Sequence, residues 1–556
     1  MSLSSTSDPS STRDDAPIVR PDQAARFTDA LAKVKPLLEM EPPLAAHQLT
    51  EALQIAAVSS LGLGRLDDAE SYWRRSIDAN PGFVDAYMNL GTLLKKLNRL
   101  HDLEALLRQL LEVRPDLADV HNQLGSMLQD QGRLSEAEAA YRQAARLRPD
   151  RVEFHYNLGV VLRPLGRWRE AAQAYQRAVE INPGFVMGYS NLGNVLKELG
   201  CLPQAEDAYR NALALRGDYH VAKFALATLL ISMGRFEEGW QLYEERHEDP
   251  NSIQHQTQKV IGRPRWRGEA LAGKRLLVWQ EGGLGDAIHF GRYFSLLKAQ
   301  GAVEIAFVCA PALQRLFAAA EGVDVVLTHE AGRASSARYD YWTSPLSAPL
   351  YLGTTLEAIP APLRLMPDPA LVEAWRVRLA GLPSGRSSGR RIGLVWKGNA
   401  KHQNDAHRSL RSLATLAPLW SLPGVSFVSL QKGEGEYEAL APPTHQPLLH
   451  LGSGVVDLAD SAAIVAQLDL VICVDTSIAH LAASVGTPCW VMLPAEQVDW
   501  RWMHERSDSP WYPETIRLFR QPLGGTWPTV IEQVRQACAE RFAEHGLSRT
   551  LPGPGK

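Results

Sequence analysis

Four prolines, Pro81, Pro115, Pro149 and Pro183, recur every 34 residues, and Gly217 takes the next slot. The same interval carries Leu90-Gly91, Leu124-Gly125, Leu158-Gly159, Leu192-Gly193 and Leu226-Ala227. It also carries Gly64-Arg65-Leu66, Asn98-Arg99-Leu100, Gly132-Arg133-Leu134, Gly166-Arg167-Trp168, Gly200-Cys201-Leu202 and Gly234-Arg235-Phe236. Ala137, Ala171 and Ala205 keep a small residue at a further site of the unit. A period of this length is one supersecondary unit repeated, each too small to bury its own apolar face, so neighbours must stack. The small residues let paired helices approach. The mid-repeat glycine ends the first helix, and the proline stands where the second must stop.

Six such units over 45–248 resemble the tetratricopeptide repeat, a helix–turn–helix that stacks into an α-solenoid, with the first and last units less regular, as caps are. The repeat superhelix is expected over 21–248, and the Ser/Asp-rich residues 1–20 are expected to be disordered. One periodic position is polar: Asn89, Gln123, Asn157 and Asn191. In this repeat family the first helix lines the concave groove, and an amide offers both donor and acceptor to an extended peptide backbone. The stretch NLGNVLKELG (191–200) is similar to the repeats of the protein O-GlcNAc transferases, which carry such a ladder. The resemblance implies a protein or peptide partner in the groove; the alternative is that the amides help neighbouring repeats to pack.

Other partner classes are less compatible with the composition. A net charge of −4 with no basic stripe gives no electrostatic footprint for nucleic acid. No 18-residue apolar run is present, so no membrane span is expected, and the start MSLSSTSDPSSTRDD lacks the apolar core of a signal peptide. Cys201, Cys309, Cys473, Cys489 and Cys538 are scattered without a CxxC pair, which fits reduced thiols and a cytoplasmic protein.

Beyond Trp240 the period fades, and 249–270 reads as a linker. Strands are then predicted at Arg275–Trp279, Val303–Cys309 and Val323–Thr328, with helices over 284–299 and from Pro311, a βαβαβ pattern over 271–380. The pattern restarts after the Gly/Ser-rich break 381–390, with strands at Arg391–Trp396, Val425–Leu430, Leu468–Val474 and Cys489–Leu493 within a second half, 391–545. Two Rossmann-like domains facing one cleft make the GT-B fold of many glycosyltransferases the leading expectation. Other nucleotide-binding enzymes share such halves, so topology leaves function open.

The segment VDTSIAHLAASVGTPCWVMLP, 474–494, ends a buried strand at Asp475 and opens a helix at Thr476-Ser477. The first turn of a helix has free N–H groups that, with the helix dipole, attract phosphate. This segment, as D-T-x-x-x-H-L-A-x-x-x-G-x-P-x-W-x-x-L-P, resembles the ADP-heptose:lipopolysaccharide heptosyltransferases. It is more similar still to a bacterial group in which such a region follows tetratricopeptide repeats, and the likeness covers about 270–540. The resemblance implies that Asp475, Thr476 and Ser477 contact the diphosphate of a nucleotide-sugar donor and that His480 shapes the site. The alternatives are a capping role for Asp475 and a packed histidine at 480. In LVWKGNAKHQNDAHRSL (394–410), Arg408 matches the family's basic residue at the pyrophosphate, with Lys397 as a second donor contact. His402, Asp405 and His407 read as a solvated loop before they read as metal ligands, and no metal or other cofactor is expected. Gln431 and Lys432, past a strand's carboxyl end, are placed for base or ribose contact or simply in a connecting loop. Trp500, Trp502 and Trp511 are expected to close over the cleft or to pack.

The turn Gly282-Gly283-Leu284-Gly285-Asp286 lacks the G-x-G-x-x-G spacing of a dinucleotide loop. Its Gly283, Gly285 and Asp286 match the family's acceptor-side turn, whose aspartate is taken as the general base. The alternative is that Asp286 caps the helix it begins. His289 falls on the same helical face as Gly285 and could line the acceptor side; Arg292 and Tyr293 are weaker candidates. The resemblance thus implies an inverting, metal-independent transfer from a nucleotide sugar, catalysed by Asp286 and Arg408, to a protein recruited by the repeats. Transfer to a glycan or lipid, or a non-catalytic nucleotide-binding scaffold, are the alternatives.

Overall fold

The periodic segment folds as packed helix pairs, for example Ala118–Asp130 with Leu134–Leu147 and Val152–Leu162 with Trp168–Ile181. The computed structural model describes residues 21–40, 44–380, 389–402 and 404–547; the expected disordered stretch 1–20 and most of the Gly/Ser break 381–390 lie outside these. Between the helices of the third repeat, Gly132 takes φ +74°, a left-handed conformation that a side chain would strain. Tyr87, Leu90, Leu94, Leu107, Leu124 and Tyr141 are among the residues filling the core between helices.

The described residues form two compact units, one ending at Leu199 and one starting at Gly200. The second takes in helices Leu202–Leu215, His220–Ser232 and Phe236–Glu244, the end of the array expected over 21–248. The reason is a shared core: Ile231, Phe236, Trp240 and Tyr243 are buried in one cluster with Trp266, Val278, Phe290 and Trp511. Phe236 stacks on Trp511 with centroids 5.4 Å apart, and Trp240 meets Trp500 edge-on at 5.5 Å. A charged rung also repeats, joining Glu104, Arg108, Arg133 and Glu136, then Glu138, Arg142, Arg167 and Glu170. The half-exposed arginines limit each pair to about 0–1 kcal/mol.

Residues 249–270 are not a free linker. They hold helix Ile253–Ile261, capped by the Ser252 hydroxyl accepting the His255 N–H. Beyond it, the Trp266 backbone N–H donates to the Trp342 carbonyl at 2.8 Å, and the Trp342 backbone N–H donates to the Pro264 carbonyl at 3.0 Å. The Trp266 ring, 2% exposed, supplies the burial that fixes this stretch.

The first α/β half has strands β1 (Arg275–Trp279), β2 (Glu304–Val308), β3 (Val325–Leu327) and β4 (Tyr341–Thr343) in the parallel order β3-β2-β1-β4. The second has β5 (Arg390–Val395), β6 (Val425–Ser429), β7 (Leu449–His450), β8 (Leu470–Val474), β9 (Cys489–Leu493) and β10 (Ile516–Arg520). Their order, β10-β9-β8-β5-β6-β7, is wholly parallel and, counted from β5, is the doubly wound order 3-2-1-4-5-6. The fold class is therefore a repeat solenoid followed by an α/β region of two Rossmann-like sheets. The helix expected over 284–299 is interrupted: Leu284–Phe290 and Phe294–Ala299 flank a 3-10 turn at Gly291–Tyr293.

Candidate active site

In an open parallel sheet the crevice lies at the carboxyl ends of the strands where their order reverses. In the second half that point falls between β5 and β8. Past β8, Thr476 is the N-cap of helix Ser477–Val485 in extended conformation and makes no side-chain cap bond, so no cap side chain fills the first turn, where the Ala479 N–H donates to the Thr476 carbonyl. Asp475 therefore does not cap this helix. Burial raises its carboxyl above the ordinary range and Asp499 adds to this, while Arg408 and Arg501 oppose it. Past β5, Arg408 lies against the backbone of the turn: a Cβ on Gly398 would stand 2.8 Å from its Nη2. Its one ion-pair partner among the described residues is Asp405, 3.4 Å from Nε, and the Asp475 carboxyl also feels its charge.

In the first half, β1 runs into Gln280-Glu281-Gly282-Gly283, and Gly283 is the N-cap of helix Leu284–Phe290. Asp286 Oδ2 accepts the Gly283 N–H at 2.6 Å, and Oδ1 forms an ion pair with Arg501 of the second half. The carboxylate both caps its own helix and faces the other half, so the two expectations for it are not alternatives. Its side chain keeps 24% exposure. Burial raises its carboxyl above the usual value and Arg501 opposes this. The helix packs directly on Ser477–Val485, since a Cβ on Gly285 would lie 3.0 Å from His480 Cδ2 and 3.3 Å from the Ser477 Cα.

Beneath the turn, Glu281 is clamped by Arg246 at 2.7 and 2.9 Å, and Arg246 also binds Glu244 at 2.6 Å and Ser347 at 3.0 Å. All three charged side chains are nearly sealed, with 4%, 9% and 11% exposure for Arg246, Glu244 and Glu281. The paired guanidinium draws the Glu281 carboxyl down to about 2 against the effect of burial.

Several expected site residues are spent on structure. Gln431 is buried; its Oε1 accepts the N–H groups of Trp396 and Lys397, and its Nε2 donates to the carbonyls of Lys397 and Glu434, so its amide is fully used as a strut. Lys432 Nζ donates to the Val455 carbonyl at 2.6 Å. Lys397 pairs with Glu434 and Glu438, each at 3.6 Å, so its charge is already met by protein carboxylates. His289 is fully buried and cannot line an open acceptor surface. Its Nδ1 and that of His480 each lie 3.1 Å from the Tyr512 hydroxyl, and His480 stacks on Trp502 at 5.3 Å. His480 is thus a packed histidine, held neutral by burial with its pKa down to about 3. Arg292 donates to the carbonyls of His289, Pro360 and Trp511, and Tyr293 bonds Thr354, both within the core. The three tryptophans of 499–513 are packing residues: Trp502 and Trp511 are each 1% exposed, and Trp500 meets Trp240 and Tyr243.

His402, Asp405 and His407 do not converge. Asp405 accepts from Ser409, His402 accepts the Asn404 N–H, and His407 meets Gln497. Among the described residues no group of three or more His, Cys, Asp or Glu side chains is arranged to hold a metal ion.

In the first unit, Asn89, Gln123, Asn157 and Asn191 are half-buried on the first helices of their repeats. Asn157 Nδ2 donates to Asn122 Oδ1 at 2.9 Å and Asn191 Nδ2 to the Tyr156 hydroxyl at 3.1 Å, each reaching back to the preceding repeat. The packing role expected as the alternative is therefore present in two of the four.

Arg501, Asp499, Arg246 and Glu281 are absent from the residues that sequence patterns single out. Arg501 carried one faint signal, a cation set among tryptophans in DWRW. Arg246 and Glu281 carried none, because what matters in them is a pairing between distant segments.

Comparison with known proteins agrees with this architecture. Residues 56–118, 92–147 and 122–184 match one tetratricopeptide-repeat family model and 174–207 a second. Residues 429–491 match the model for glycosyltransferase family 9 (heptosyltransferase). That match contains Asp475, Thr476, Ser477 and His480; Arg408 and Asp286 lie outside it. Protein FlbA of Caulobacter vibrioides is 32% identical over 340 residues, which cover 58% of this chain and 55% of FlbA, so the likeness spans about half of that relative. Among solved structures, YrrB, described as a TPR protein with an unusual peptide-binding site, is 21% identical with a TM-score of 0.30, covering 34% of this chain and 97% of YrrB. MamA protein is 22% identical with a TM-score of 0.28, covering 31% of this chain and 93% of MamA. No helix among the described residues is long and apolar enough to cross a membrane.

Proposed function

We propose that this chain is a glycosyltransferase of GT-B type that moves a sugar from a nucleotide-diphosphate sugar to an acceptor hydroxyl. The observation that carries the reading is the convergence at the junction of the sheets. Arg408 and the open first turn of Ser477–Val485 stand on one side, and Asp286 on the other. A guanidinium and a helix N-terminus together suit a diphosphate. They act most strongly as the departing diphosphate gains charge. The family match over 429–491 and the likeness to FlbA support the same reading.

In this reaction the acceptor oxygen attacks the anomeric carbon on the face opposite the diphosphate, so configuration inverts. The hydroxyl proton passes to Asp286, and the bond from the anomeric carbon to the diphosphate oxygen breaks, the oxygen keeping the electron pair. Arg408 and the first-turn N–H groups meet the new charge, which is the ground for reading the transfer as metal-independent. The acceptor on this reading is a protein recruited by the repeats, in the cytoplasm where nucleotide sugars are made available. One observation favours a glycan or lipid acceptor instead: the amides of Asn157 and Asn191 already spend donors on Asn122 and Tyr156.

A thermal-shift screen of the full chain against nucleoside diphosphates and nucleotide sugars tests the reading, because a ligand of the folded state raises the melting temperature. A donor found this way is then used in transfer assays. Asp286→Asn is expected to lose about 10²–10⁴-fold in turnover while still showing the donor's thermal shift. Binding of no nucleotide would sink the proposal, and turnover within a few-fold of wild type in Asp286→Asn would remove the base from it. Asn157→Ala with Asn191→Ala should slow only the modification of a protein acceptor.

A further inference from the structure

Arg501 sits on the 3-10 turn Trp500–Trp502 of the second half, with its side chain 8% exposed. Its Nη1 donates to both Asp499 oxygens at 2.9 and 3.0 Å, and its guanidinium carbon lies 4.2 Å from the Trp500 ring centroid and 5.4 Å from that of Phe290. Fixed on these sides, its Nη2 is left to the ion pair with Asp286 Oδ1. The Gly283 N–H holds the other oxygen, so the plane of the carboxylate is set while each oxygen keeps a further lone pair.

The backbone that presents Arg501 is strained. Gln497, Met503 and Glu505 have φ of 54°, 57° and 55°, and they are three of the four non-glycine residues with positive φ among the described residues. Left-handed backbone at residues with side chains persists where surrounding contacts enforce it, and it gathers at functional sites. Arg520 supplies the enforcement, donating to the carbonyls of Arg506, Trp502 and Met503 at 2.7, 2.6 and 3.0 Å.

Charge around Asp286 leaves Arg501 a distinct part. From its own turn Asp286 faces Glu281, which Arg246 already neutralises. Tyr243 from helix Phe236–Glu244 and His402 from the loop after β5 also feel its charge. The segment 499–502 brings Asp499 and Arg501, and helix Ser477–Val485 brings the neutral His480 beside Gly285. Burial and the two acidic neighbours favour the protonated form of Asp286, and Arg501 is the fixed cation that favours the carboxylate.

We propose that Arg501 is the positioning residue for Asp286, orienting its carboxylate and keeping it ionised, so that the base is competent only while segment 497–505 holds the guanidinium across the junction. The inference rests on the reading of Asp286 as the base. A protonated carboxyl has no place for the acceptor's proton, so without Arg501 transfer would be confined to higher pH.

The test is carboxyl labelling of the full chain with a water-soluble carbodiimide and an amine between pH 4 and 8, read at Asp286 by peptide mass spectrometry. The reagent reacts with protonated carboxyl groups. In Arg501→Gln the pH at which Asp286 ceases to be labelled should rise by about 1–3 pH units, the usual influence of a contacting opposite charge. Arg501→Lys should stay near wild type, and the exposed Asp324 should not change. An unmoved midpoint in Arg501→Gln overturns the inference. If that variant does not fold, Arg501→Met, which keeps an apolar stem over Trp500 and Phe290, is read in the same way. If neither folds, Arg501→Met with Asp286→Asn decides: recovery of the fold supports the assignment, and continued failure makes Arg501 a packing residue and overturns it. Retained transfer in Asp286→Asn would end the base reading alone, because labelling reports ionisation whether or not Asp286 is the base.

Discussion

Gly285 of the first α/β half and His480 of the second pack so closely that a methyl group on Gly285 would stand 3.0 Å from His480 Cδ2, tighter than an ordinary contact. The contact seats the helix bearing Asp286 on the helix whose first turn is open for an anion. Gly285→Ala is therefore expected to push the two apart by a few tenths of an ångström. Overpacking should cost about 1–3 kcal/mol, partly offset by up to about 1 kcal/mol from alanine's helix preference. Turnover should fall by about 10-fold or more, since misplacement by 1 Å can cost about 100-fold. Urea unfolding and donor turnover measured side by side check this, and equal activity in the variant would count against the junction as the reacting site.

Arg246 neutralises two buried glutamates at once. Arg246→Met strands Glu244 and Glu281, and breaking a buried pair from one side typically costs about 3–5 kcal/mol. The loss should appear as a lowered urea midpoint for the unit that begins at Gly200. Restoring much of it with Glu281→Gln in the same chain would identify the stranded charge as the cause.

Gln431 is expected to behave as a structural residue. Gln431→Leu removes partners from four backbone groups of Trp396, Lys397 and Glu434. Each stranded buried group costs about 1–3 kcal/mol at most, and because the loop can relax toward solvent the expected total is about 2–5 kcal/mol. Donor affinity should fall only as far as this loop is disordered. A variant of wild-type stability with weakened nucleotide binding would return Gln431 to the donor site.

Three buried histidines give the fold an acid limit. Burial lowers His247 and His480 to about 3 and holds His289 well below its ordinary value. The unfolded chain protonates these rings near pH 6.5 while the folded chain does not, so between about pH 3 and 6.5 the unfolded state binds more protons. Their contribution is complete above pH 6.5 and is lost as pH falls toward 3. The slope should reach about 1.4 kcal/mol per pH unit for each histidine well below pH 6.5. Urea midpoints between pH 5 and 7 measure this, and His289→Phe should remove one histidine's share of the slope.

The repeats were legible because their signal is local: helix, turn and close approach recur every 34 residues. Strands β1, β2, β5, β6, β8 and β9 were legible as apolar runs. Strands β4 and β7, of three and two residues, are too short to announce themselves, and β10 carries arginines at both 517 and 520. The helix end at Ser477 and the turn at Asp286 could be read from composition and spacing. What could not be read was how side chains were spent. Gln431 and Asp475 both follow strand ends, yet one is consumed by backbone groups and the other faces Arg408. Nothing in the sequence links Asp286 to Arg501 or Glu281 to Arg246, because those pairs form only when separate segments meet.

The core shared by Phe236 and Trp240 with Trp500 and Trp511 bears on how such proteins are recombined. A chimera that takes new repeats up to residue 248 would discard the hydrophobic bed of the segment carrying Arg501, although sequence periodicity marks that as the natural seam. A chimera joined at Leu199 and Gly200 keeps the bed with the sheets it supports. In lineages that exchange repeat arrays, the hairpin 220–244 should therefore travel with the α/β region, inherited as part of it while the units upstream turn over.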